Sequence, residues 1–318
     1  MDALNLVVCS HSQEAEGICS FELEAVQGGE LPPFTAGAHI DVHVQPGVVR
    51  QYSLCGDPAE RRRWRIAVLR ETASRGGSAG MHDHVRPGTT LQVSAPRNHF
   101  PLVPARHSLL IAGGIGVTPI LSMARALHGQ GRSFHMHYCT RSPARTAFRD
   151  EIGAAAFAGK VSFHFDDGQP AQKFDADHVL ATSPPETHLY VCGPSGFMDH
   201  VLDTARRLGW AEDQLHREYF AGSAAASIAD AAFEVRLAHS GHLLRVEANQ
   251  TVLQVLLGAG IDITFSCEAG VCGTCLTRVL EGTPDHRDVY LSDAEHAAND
   301  QFTPCCSRSR TPVLVLHL

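Results

Sequence analysis

The sequence predicts a multidomain protein made of an antiparallel β-barrel, an α/β domain with a parallel sheet and a smaller C-terminal domain. Residues 1–103 contain short stretches of alternating apolar and polar residues, separated by frequent turn signals. Residues 104–222 alternate apolar strands with helical segments, which is typical of a parallel sheet with crossover helices. Residues 231–318 hold half of the ten cysteines. These changes along the chain place the predicted domain boundaries.

The composition indicates a chain with a sizeable core. Of the 318 residues, 44% are hydrophobic and 19% are charged, which excludes wholesale disorder. The formal net charge is −8, and this acidic balance argues against nucleic acid as a partner. The N-terminal residues lack the positive region and long apolar core of a secretory signal, so we expect a cytoplasmic protein.

The first domain is predicted from alternation and turns. Ile18–Leu23 and His39–Val44 alternate apolar with polar residues, as half-buried antiparallel strands do. Arg65–Arg70 and Thr90–Ser94 continue the series. Several such strands separated by Pro-Gly turns indicate a barrel.

The second domain begins with an uncharged stretch, Ser108–Ala124, that is almost long enough to span a membrane. Three glycines at its centre and Pro119 after them indicate a strand, a tight turn and a helix start instead, so we expect no membrane association. Further strands are predicted at Phe134–Tyr138, Val161–Phe165 and His188–Cys192.

A stretch of small residues, Ala221–Ala232, is predicted to be a domain boundary. After it we expect a hairpin formed by Phe233–Leu237 and Leu243–Val246, then a helix over Val252–Gly258. The last predicted strand is Pro312–Leu318.

The cysteine cluster is the strongest chemical signal. Cys267, Cys272 and Cys275 have the spacing C-x4-C-x2-C, and 29 residues separate Cys275 from Cys305. Four thiolates from a Gly-rich loop and one distant position suit a 2Fe-2S cluster. A structural zinc site would more often show two CxxC pairs or added histidines. The fourth ligand is either Cys305 or its neighbour Cys306.

Two strand-to-helix turns rich in small residues indicate a nucleotide site. The turn at Gly113, Gly114 and Gly116 follows an apolar strand and opens a helix, so its N–H groups could bind a pyrophosphate. Cys192, Gly193 and Pro194 form the second turn. Upstream, Arg50–Leu54 and Arg75–Ser78 supply a cation, hydroxyls and bare backbone, which are the groups that a flavin phosphate and ring would use.

In this order the motifs R-x-Y-S, G-G-S, G-G-x-G-x-T-P and C-G-P resemble those of the ferredoxin–NADP reductase superfamily. The order of the domains narrows the resemblance to the phthalate dioxygenase reductase family, whose members carry FMN. The stretches R-Q-Y-S-L-C, S-A-P-R-N-x-F-P-L, L-H-R-E-Y-F and C-G-T-C-L-T-R-V-L-E-G carry it over essentially the whole chain. It implies an FMN-binding β-barrel over 1–103, an NAD-binding α/β domain over 104–222 and a β-grasp, plant-type 2Fe-2S ferredoxin domain over 231–318.

The resemblance also implies roles for individual residues. Thr118 would lie between flavin and nicotinamide, Cys192 beside the nicotinamide, and Phe220 over the flavin face; Thr118 and Cys192 are the predicted catalytic residues. The residues implied to hold FMN are Arg50, Gln51, Tyr52, Ser53, Ala67, Val68, Leu69, Gly76, Gly77 and Ser78. Those implied to approach the dinucleotide are Gly113, Gly114, Gly116, Thr118, Pro119, Arg141, Cys192, Gly193 and Pro194. The implied iron ligands are Cys267, Cys272, Cys275 and Cys305.

NADH is favoured over NADPH because Asp166 and Asp167 follow a predicted strand, where a carboxylate could bind ribose hydroxyls and repel a 2′-phosphate. Arg141 is evidence for NADPH instead, since it could bind an adenosine phosphate.

The predicted function is that of a reductase component, which passes electrons from NADH through FMN and a 2Fe-2S cluster to a Rieske-type aromatic oxygenase or O-demethylase. The resemblance implies a monomer. The acidic C-terminal domain, with ten carboxylates and six arginines, suits a basic rim on that partner. Two alternatives stay open: a stand-alone NADH-dependent flavin or acceptor reductase, and a redox-sensing iron–sulfur protein.

Overall fold

The computed structural model describes residues 3–72, 76–220, 231–265 and 267–318. The chain forms two compact units, Met1–Glu218 and Tyr219–Leu318. The boundary between them lies just before the predicted linker, of which residues 221–230 are outside the described part of the chain. Among the described residues, no helix combines the length and apolar character required for crossing a membrane.

The first unit begins with a six-stranded antiparallel sheet. Its elements are β1 (Leu4–Ala15), β2 (Ile18–Ala25), β3 (His39–Gln45), β4 (Val48–Ser53), β5 (Arg63–Leu69), α1 (Gly77–His84) and β6 (Thr90–Val93). The strand order is β4-β3-β6-β1-β2-β5, and a bridge between Leu54 and Ile66 joins the two outer strands. The sheet therefore curls into the predicted barrel, with Phe21, Trp64 and Ile66 fully buried inside it.

The second half of this unit is a five-stranded parallel sheet with helices. Its elements are β7 (His107–Gly113), α2 (Val117–Gly129), β8 (Phe134–Thr140), α3 (Arg149–Ala154), β9 (Val161–Phe165), α4 (Ala176–Ala181), β10 (Thr187–Cys192), α5 (Ser195–Arg207) and β11 (Leu215–Glu218). The order β11-β10-β7-β8-β9 places β7 and β10 next to each other in the middle. The two predicted nucleotide turns follow these two strands, so they meet at the same edge of the sheet.

Specific contacts fix the barrel against the parallel sheet. Arg65 on β5 forms an ion pair with Glu151 on α3, with N and O 2.7 Å apart. Arg125 on α2 donates to the carbonyl of Cys55 at 2.7 Å, and the Tyr190 hydroxyl accepts from the amide of Val103 at 2.9 Å. These links join the barrel to the helices and the sheet of the second half of this unit.

The second unit is a mixed sheet with one packed helix. Its elements are β12 (Phe233–Leu237), β13 (Leu243–Val246), α6 (Val252–Gly258), β14 (Thr277–Glu281), β15 (Pro284–Asp285), α7 (Asp293–Ala298), β16 (Gln301–Phe302), β17 (Arg308–Ser309) and β18 (Val313–Leu316). The order is β13-β12-β18-β14-β16, and β18 runs parallel to β12. Helix α6 begins at a Thr251–Gln254 capping box and buries Val252 and Leu256 against this sheet, which is the β-grasp arrangement.

The predicted strands and the hairpin of the second unit are confirmed, and α6 has the predicted bounds. Several elements were not predicted, and β1 and α1 are the two longest of them. The long strand β1 has two register irregularities, at Val8/Ser10 and Gln13/Ala15, which disturb its alternation. Helix α1 was interpreted only as a phosphate loop because it begins with Gly77-Ser78-Ala79-Gly80, which has low helix propensity.

Candidate functional site

Four buried thiols converge in the second unit. Cys267, Cys272, Cys275 and Cys305 are each less than a tenth exposed, and none is in a disulfide. Interactions with the side chains of Cys272 and Cys305 lower the pKa of Cys267. The Ala269 amide also donates to Cys267 Sγ at 3.4 Å. Four convergent sulfurs with backbone N–H donors fit a 2Fe-2S cluster, whose potential such donors tune.

Cys305 and Cys306 have different surroundings. The Cys305 thiol interacts with those of Cys267 and Cys275. Cys306 Sγ lies 3.2 Å from the Thr303 hydroxyl, and it also interacts with Cys305. Cys305 therefore interacts with two of the three loop cysteines, which favours it over Cys306 as the fourth ligand.

Two glycines allow the cysteine loop to pack closely. Gly270 and Gly273 have φ angles of 73° and 66°, which L-residues rarely adopt. A Cβ on Gly270 would lie 2.5 Å from Cys306 Sγ, and one on Gly273 would lie 2.2 Å from the Tyr290 ring. The loop can hold its sulfurs in this arrangement only with glycine at both positions.

The residues predicted to bind the flavin phosphate lie close together in the first unit. Arg50 lies over the start of α1, because a Cβ on Gly77 would be 2.6 Å from Arg50 Cγ and Nε. Gly76 precedes the helix in the left-handed region at φ 87°. A guanidinium beside the first amides of an eight-residue helix fits a phosphate. Ser78 Oγ accepts from the Glu71 amide at 3.0 Å, and Arg75 of the same motif is outside the described residues.

The side chains of Tyr52 and Gln51 differ in whether they are available to bind a flavin. The Tyr52 hydroxyl is buried and has no hydrogen-bond partner among the described residues, and burial raises its pKa. An isolated buried hydroxyl fits a site that a cofactor completes. The Gln51 amide instead donates to Asp41 at 3.0 Å, so its side chain is directed to β3 rather than to the Arg50 cradle.

The strand predicted to line the flavin ring presents two faces. Ala67 and Leu69 pack with the cluster that joins the barrel to α2. Val68 points into the barrel core, and its carbonyl oxygen lies 2.9 Å from His82 Nε2. Val68 could therefore face a ring only through its backbone.

The glycines of the two nucleotide turns serve first to pack the turns together. A Cβ on Gly116 would lie 2.2 Å from the Cys192 oxygen, and one on Gly193 would lie 2.9 Å from the Gly113 Cα. Gly114 is different, since it has a φ of 55° and no atom within 4 Å of its Cβ position. Of these four glycines, Gly114 alone leaves open space beside its Cα for a ligand.

Thr118, Pro119 and Pro194 lie at the helix starts. The Thr118 hydroxyl donates to the Ile115 carbonyl at 3.1 Å and is buried. Pro119 is in the first turn of α2, where its missing N–H leaves no bond unmade. Pro194 immediately precedes α5.

A carboxyl group that was not predicted lies between these motifs. Ser53 Oγ donates to Glu218 Oε2 at 3.3 Å, and β10–β11 pairing places Glu218 opposite Cys192. Burial raises the pKa of Glu218 to about 8, and that of Cys192 well above its usual value, with the Glu218 charge adding to the shift. The stretch L-H-R-E-Y-F contains Glu218, but only the fold reveals its neighbours.

The residues predicted to select the nucleotide are exposed and adjacent. The amide of Asp167 donates to the carbonyl of Arg141 at 3.2 Å, and the amide of Asp166 donates to that of Thr140. Both carboxylates and Arg141 therefore occupy one edge of the sheet. Phe220 belongs to the second unit and is 41% exposed, and its role at the flavin stays a prediction.

Comparison with known proteins adds independent findings. Residues 235–310 match a family described as a 2Fe-2S iron-sulfur cluster binding domain. Residues 98–215 match the N-terminal domain of dimethylamine monooxygenase subunit DmmA-like proteins.

Full-length relatives are also found. The chain is 54% identical to a vanillate O-demethylase oxidoreductase of Pseudomonas putida, covering 99% of this chain and 100% of that protein. It is 43% identical to a phthalate dioxygenase reductase of Burkholderia cepacia, with 99% and 97% covered. A solved structure of phthalate dioxygenase reductase, described as modular for electron transfer from pyridine nucleotides to [2Fe-2S], superposes with a TM-score of 0.81 at 42% identity, covering 99% of this chain and 98% of that one.

Proposed function

The chain belongs to the phthalate dioxygenase reductase family, and we propose that it is the reductase component of a two-component Rieske-type aromatic oxygenase. Electrons pass from NADH through FMN and a 2Fe-2S cluster to the oxygenase. The observation that carries this proposal is the presence, in one chain, of four convergent buried thiols and of an Arg50–α1 anion cradle. The flavin belongs to residues 1–103, the nucleotide to 104–222 and the cluster to 231–318.

The number of electrons that each group transfers explains why the chain needs both a flavin and a cluster. NADH gives two electrons as a hydride, a 2Fe-2S cluster takes one, and a flavin can accept the pair and release its electrons singly. A plant-type cluster with a reduction potential of about −400 mV can reduce a Rieske centre whose potential is about −150 mV or higher. This accounts for a flavin module and a cluster module in the same polypeptide.

The side chains of the proposed site bind and orient the flavin and the nicotinamide, and they exclude water. Arg50 and the first amides of α1 bind the flavin phosphate, and Tyr52 supplies a hydroxyl that the protein leaves unbonded. Thr118 and Cys192 line the nicotinamide side, where burial keeps water out. Glu218 holds a proton on its carboxyl up to about pH 8 and receives the hydrogen bond of Ser53. This partly buried carboxyl gives the site a group that can keep or exchange a proton.

NADH is the proposed donor, because Asp166 and Asp167 are exposed beside Arg141 at the sheet edge and would repel a 2′-phosphate. The double variant D166N/D167N should raise kcat/KM for NADPH relative to NADH. A wild-type preference for NADPH in steady-state rates would contradict the proposal.

The partner is an oxygenase that acts on an aromatic acid. A methoxybenzoate such as vanillate is the first candidate, because proteins named for vanillate O-demethylation share 51% and 54% identity with this chain. Phthalate-like acids are second. The net charge of −4 over residues 231–318 suits a basic docking surface. We further propose that the protein is a cytoplasmic monomer.

A visible spectrum of the purified protein tests the proposal. Flavin bands with added cluster absorbance should bleach together on addition of NADH, and mass analysis of the released flavin should identify FMN. Cys272→Ser should keep flavin reduction and lose cytochrome c reduction. Cytochrome c reduction that persists in this variant would favour a stand-alone reductase, and failure of the wild type to oxidise NADH would favour a redox sensor.

A further inference from the structure

Two histidines and an aspartate converge in the second unit, at a place that the proposed electron transfer does not use. His286 and Asp288 follow β15, and His296 lies on α7. One potential ligand atom from each residue lies within 4.8 Å of the others. His296 Nε2 is 3.3 Å from Asp288 Oδ2, and His286 Nδ1 is 3.8 Å from Asp288 Oδ1.

The His286 side chain is buried and has no hydrogen-bond partner in the part of the chain that the structure describes. Its side chain is 8% exposed, and neither ring nitrogen makes a hydrogen bond to any described residue. Asn299 lies beside the ring but not in the geometry of a normal hydrogen bond. The ring stacks on that of His296 with centroids 4.4 Å apart. Because a buried polar group without a partner is costly, an occupant that bonds to His286 would stabilise this arrangement.

Asp288 is held in place by the surrounding backbone and side chains. Its side chain is fully buried, and Oδ2 accepts from the Leu291 amide at 2.8 Å. Oδ1 accepts from the Ser307 hydroxyl at 3.4 Å. Nearby Arg287 and Arg310 form ion pairs with Asp285. A buried carboxylate between two imidazoles is suited to a cationic neighbour.

These donors match the ligands that zinc takes in proteins. Zinc binds imidazole nitrogen and carboxylate oxygen at about 2.0–2.2 Å in tetrahedral geometry, which sets neighbouring ligand atoms about 3.3 Å apart. The His296 nitrogen lies 3.3 Å from Asp288 Oδ2 and the His286 nitrogen 3.8 Å from Asp288 Oδ1, so each imidazole is close to that separation from one oxygen of the carboxylate. Calcium and magnesium prefer sets made of oxygen alone. We propose that His286, Asp288 and His296 bind one zinc ion, with water as the fourth ligand.

The proposed zinc site adjoins the cysteine loop. The Val289 amide donates to the Gly270 carbonyl at 3.0 Å, and a Cβ on Gly270 would lie 3.0 Å from Asp288 Cα. A cation here would favour the more negative, reduced form of a nearby cluster and raise its reduction potential. This effect rests on the proposed function, whereas zinc binding does not.

The test uses the full-length protein carrying its flavin and iron. The wild type is titrated with Zn²⁺ by calorimetry, dialysed, and analysed for zinc and iron. His296→Gln changes a partly exposed ligand. His317→Gln is the matched control, because the His317 ring meets that of His239 edge-to-face in the same unit, with no third ligand near them among the described residues. We expect one zinc per chain with iron unchanged in the wild type and control, and at least about tenfold weaker zinc binding in H296Q.

X-ray absorption at the zinc edge gives a second measurement that does not depend on a variant. We expect nitrogen and oxygen neighbours with imidazole scattering and no sulfur. Sulfur ligands, no retained zinc in the wild type, or equal affinity in H296Q would each overturn the proposal. Loss of NADH oxidation with zinc still bound would count against the proposed function alone.

Discussion

Ser53 Oγ and Glu218 Oε2 lie 3.3 Å apart although 165 positions separate the two residues in the chain. Ser53 ends β4 of the barrel and Glu218 ends β11 of the parallel sheet. This contact therefore forms only when both halves of the first unit are folded and docked. Because Glu218 also pairs with Cys192, the R-x-Y-S and C-G-P motifs both lie beside the Glu218 carboxyl group.

The raised pKa of Glu218 predicts a pH dependence of stability. The folded protein keeps this proton up to about pH 8, whereas the unfolded chain loses it near 4.5. The folded state binds the extra proton between these values, so the free energy of unfolding should fall as pH rises from about 4.5 to 8, by at most about 5 kcal/mol. Thermal unfolding of the flavin-loaded protein across this range measures the effect.

Glu218→Gln should flatten that decline, because the amide does not titrate. Glu212→Gln is the control, since Glu212 is exposed and its pKa is lowered by a hydrogen bond from Arg206. If E218Q and the wild type lose stability in parallel up to pH 8, Glu218 does not hold the proton.

Arg50 should dominate binding of the flavin phosphate. Arg50→Ala is expected to weaken FMN binding roughly ten- to a hundredfold, because a hydrogen bond to a charged group contributes about 1.5–3 kcal/mol. Fluorescence titration of the apoprotein with FMN measures it. Arg62→Ala, at an exposed arginine on the same barrel, should bind FMN like the wild type. Equal affinity in R50A and R62A would remove Arg50 from the site.

Cys305 and Cys306 should differ in whether the iron–sulfur cluster requires them. Cys305→Ser should lose the cluster, because Cys305 interacts with both Cys267 and Cys275. Cys306→Ser should keep it, because Cys306 Sγ lies 3.2 Å from the Thr303 hydroxyl, which already gives it a partner. Iron content and the electron paramagnetic resonance signal after reduction distinguish the two. The reverse pattern would make Cys306 the fourth ligand.

The packing of the two nucleotide turns should not tolerate a methyl group. Gly116→Ala would place Cβ 2.2 Å from the Cys192 carbonyl oxygen, which is backbone and cannot swing away. We expect a loss of about 1–3 kcal/mol in the free energy of unfolding, measured in urea. Gly129→Ala, on the same helix with nothing within 4 Å, should be neutral or stabilise by up to about 1 kcal/mol. Equal stability of the two variants would contradict this account of the turns.

Much of the site could be predicted because its signals are local in sequence. The three loop cysteines lie within nine residues, and the glycines of each turn lie beside their strand. Glu218 and the group His286, Asp288 and His296 could not be predicted, because their neighbours are set by strand pairing and loop packing. Nothing in the spacing of those residues reveals that they are buried together.

Gln51 illustrates the opposite case. The motif placed it beside Arg50 and Tyr52, yet the pairing of β4 with β3 puts Asp41 opposite it, and its amide is bonded there. A motif identifies the positions of a site, but cross-strand partners decide which of its side chains are available.

The central place of β18 in its sheet has a consequence for biosynthesis. Strand β12 is made early in the second unit, yet its parallel neighbour β18 is completed only at Leu316. While the ribosome is still adding the residues between them, the apolar Phe233 and Val235 lack the strand that covers them. Assembly of this sheet must therefore wait until residue 316 has left the exit tunnel.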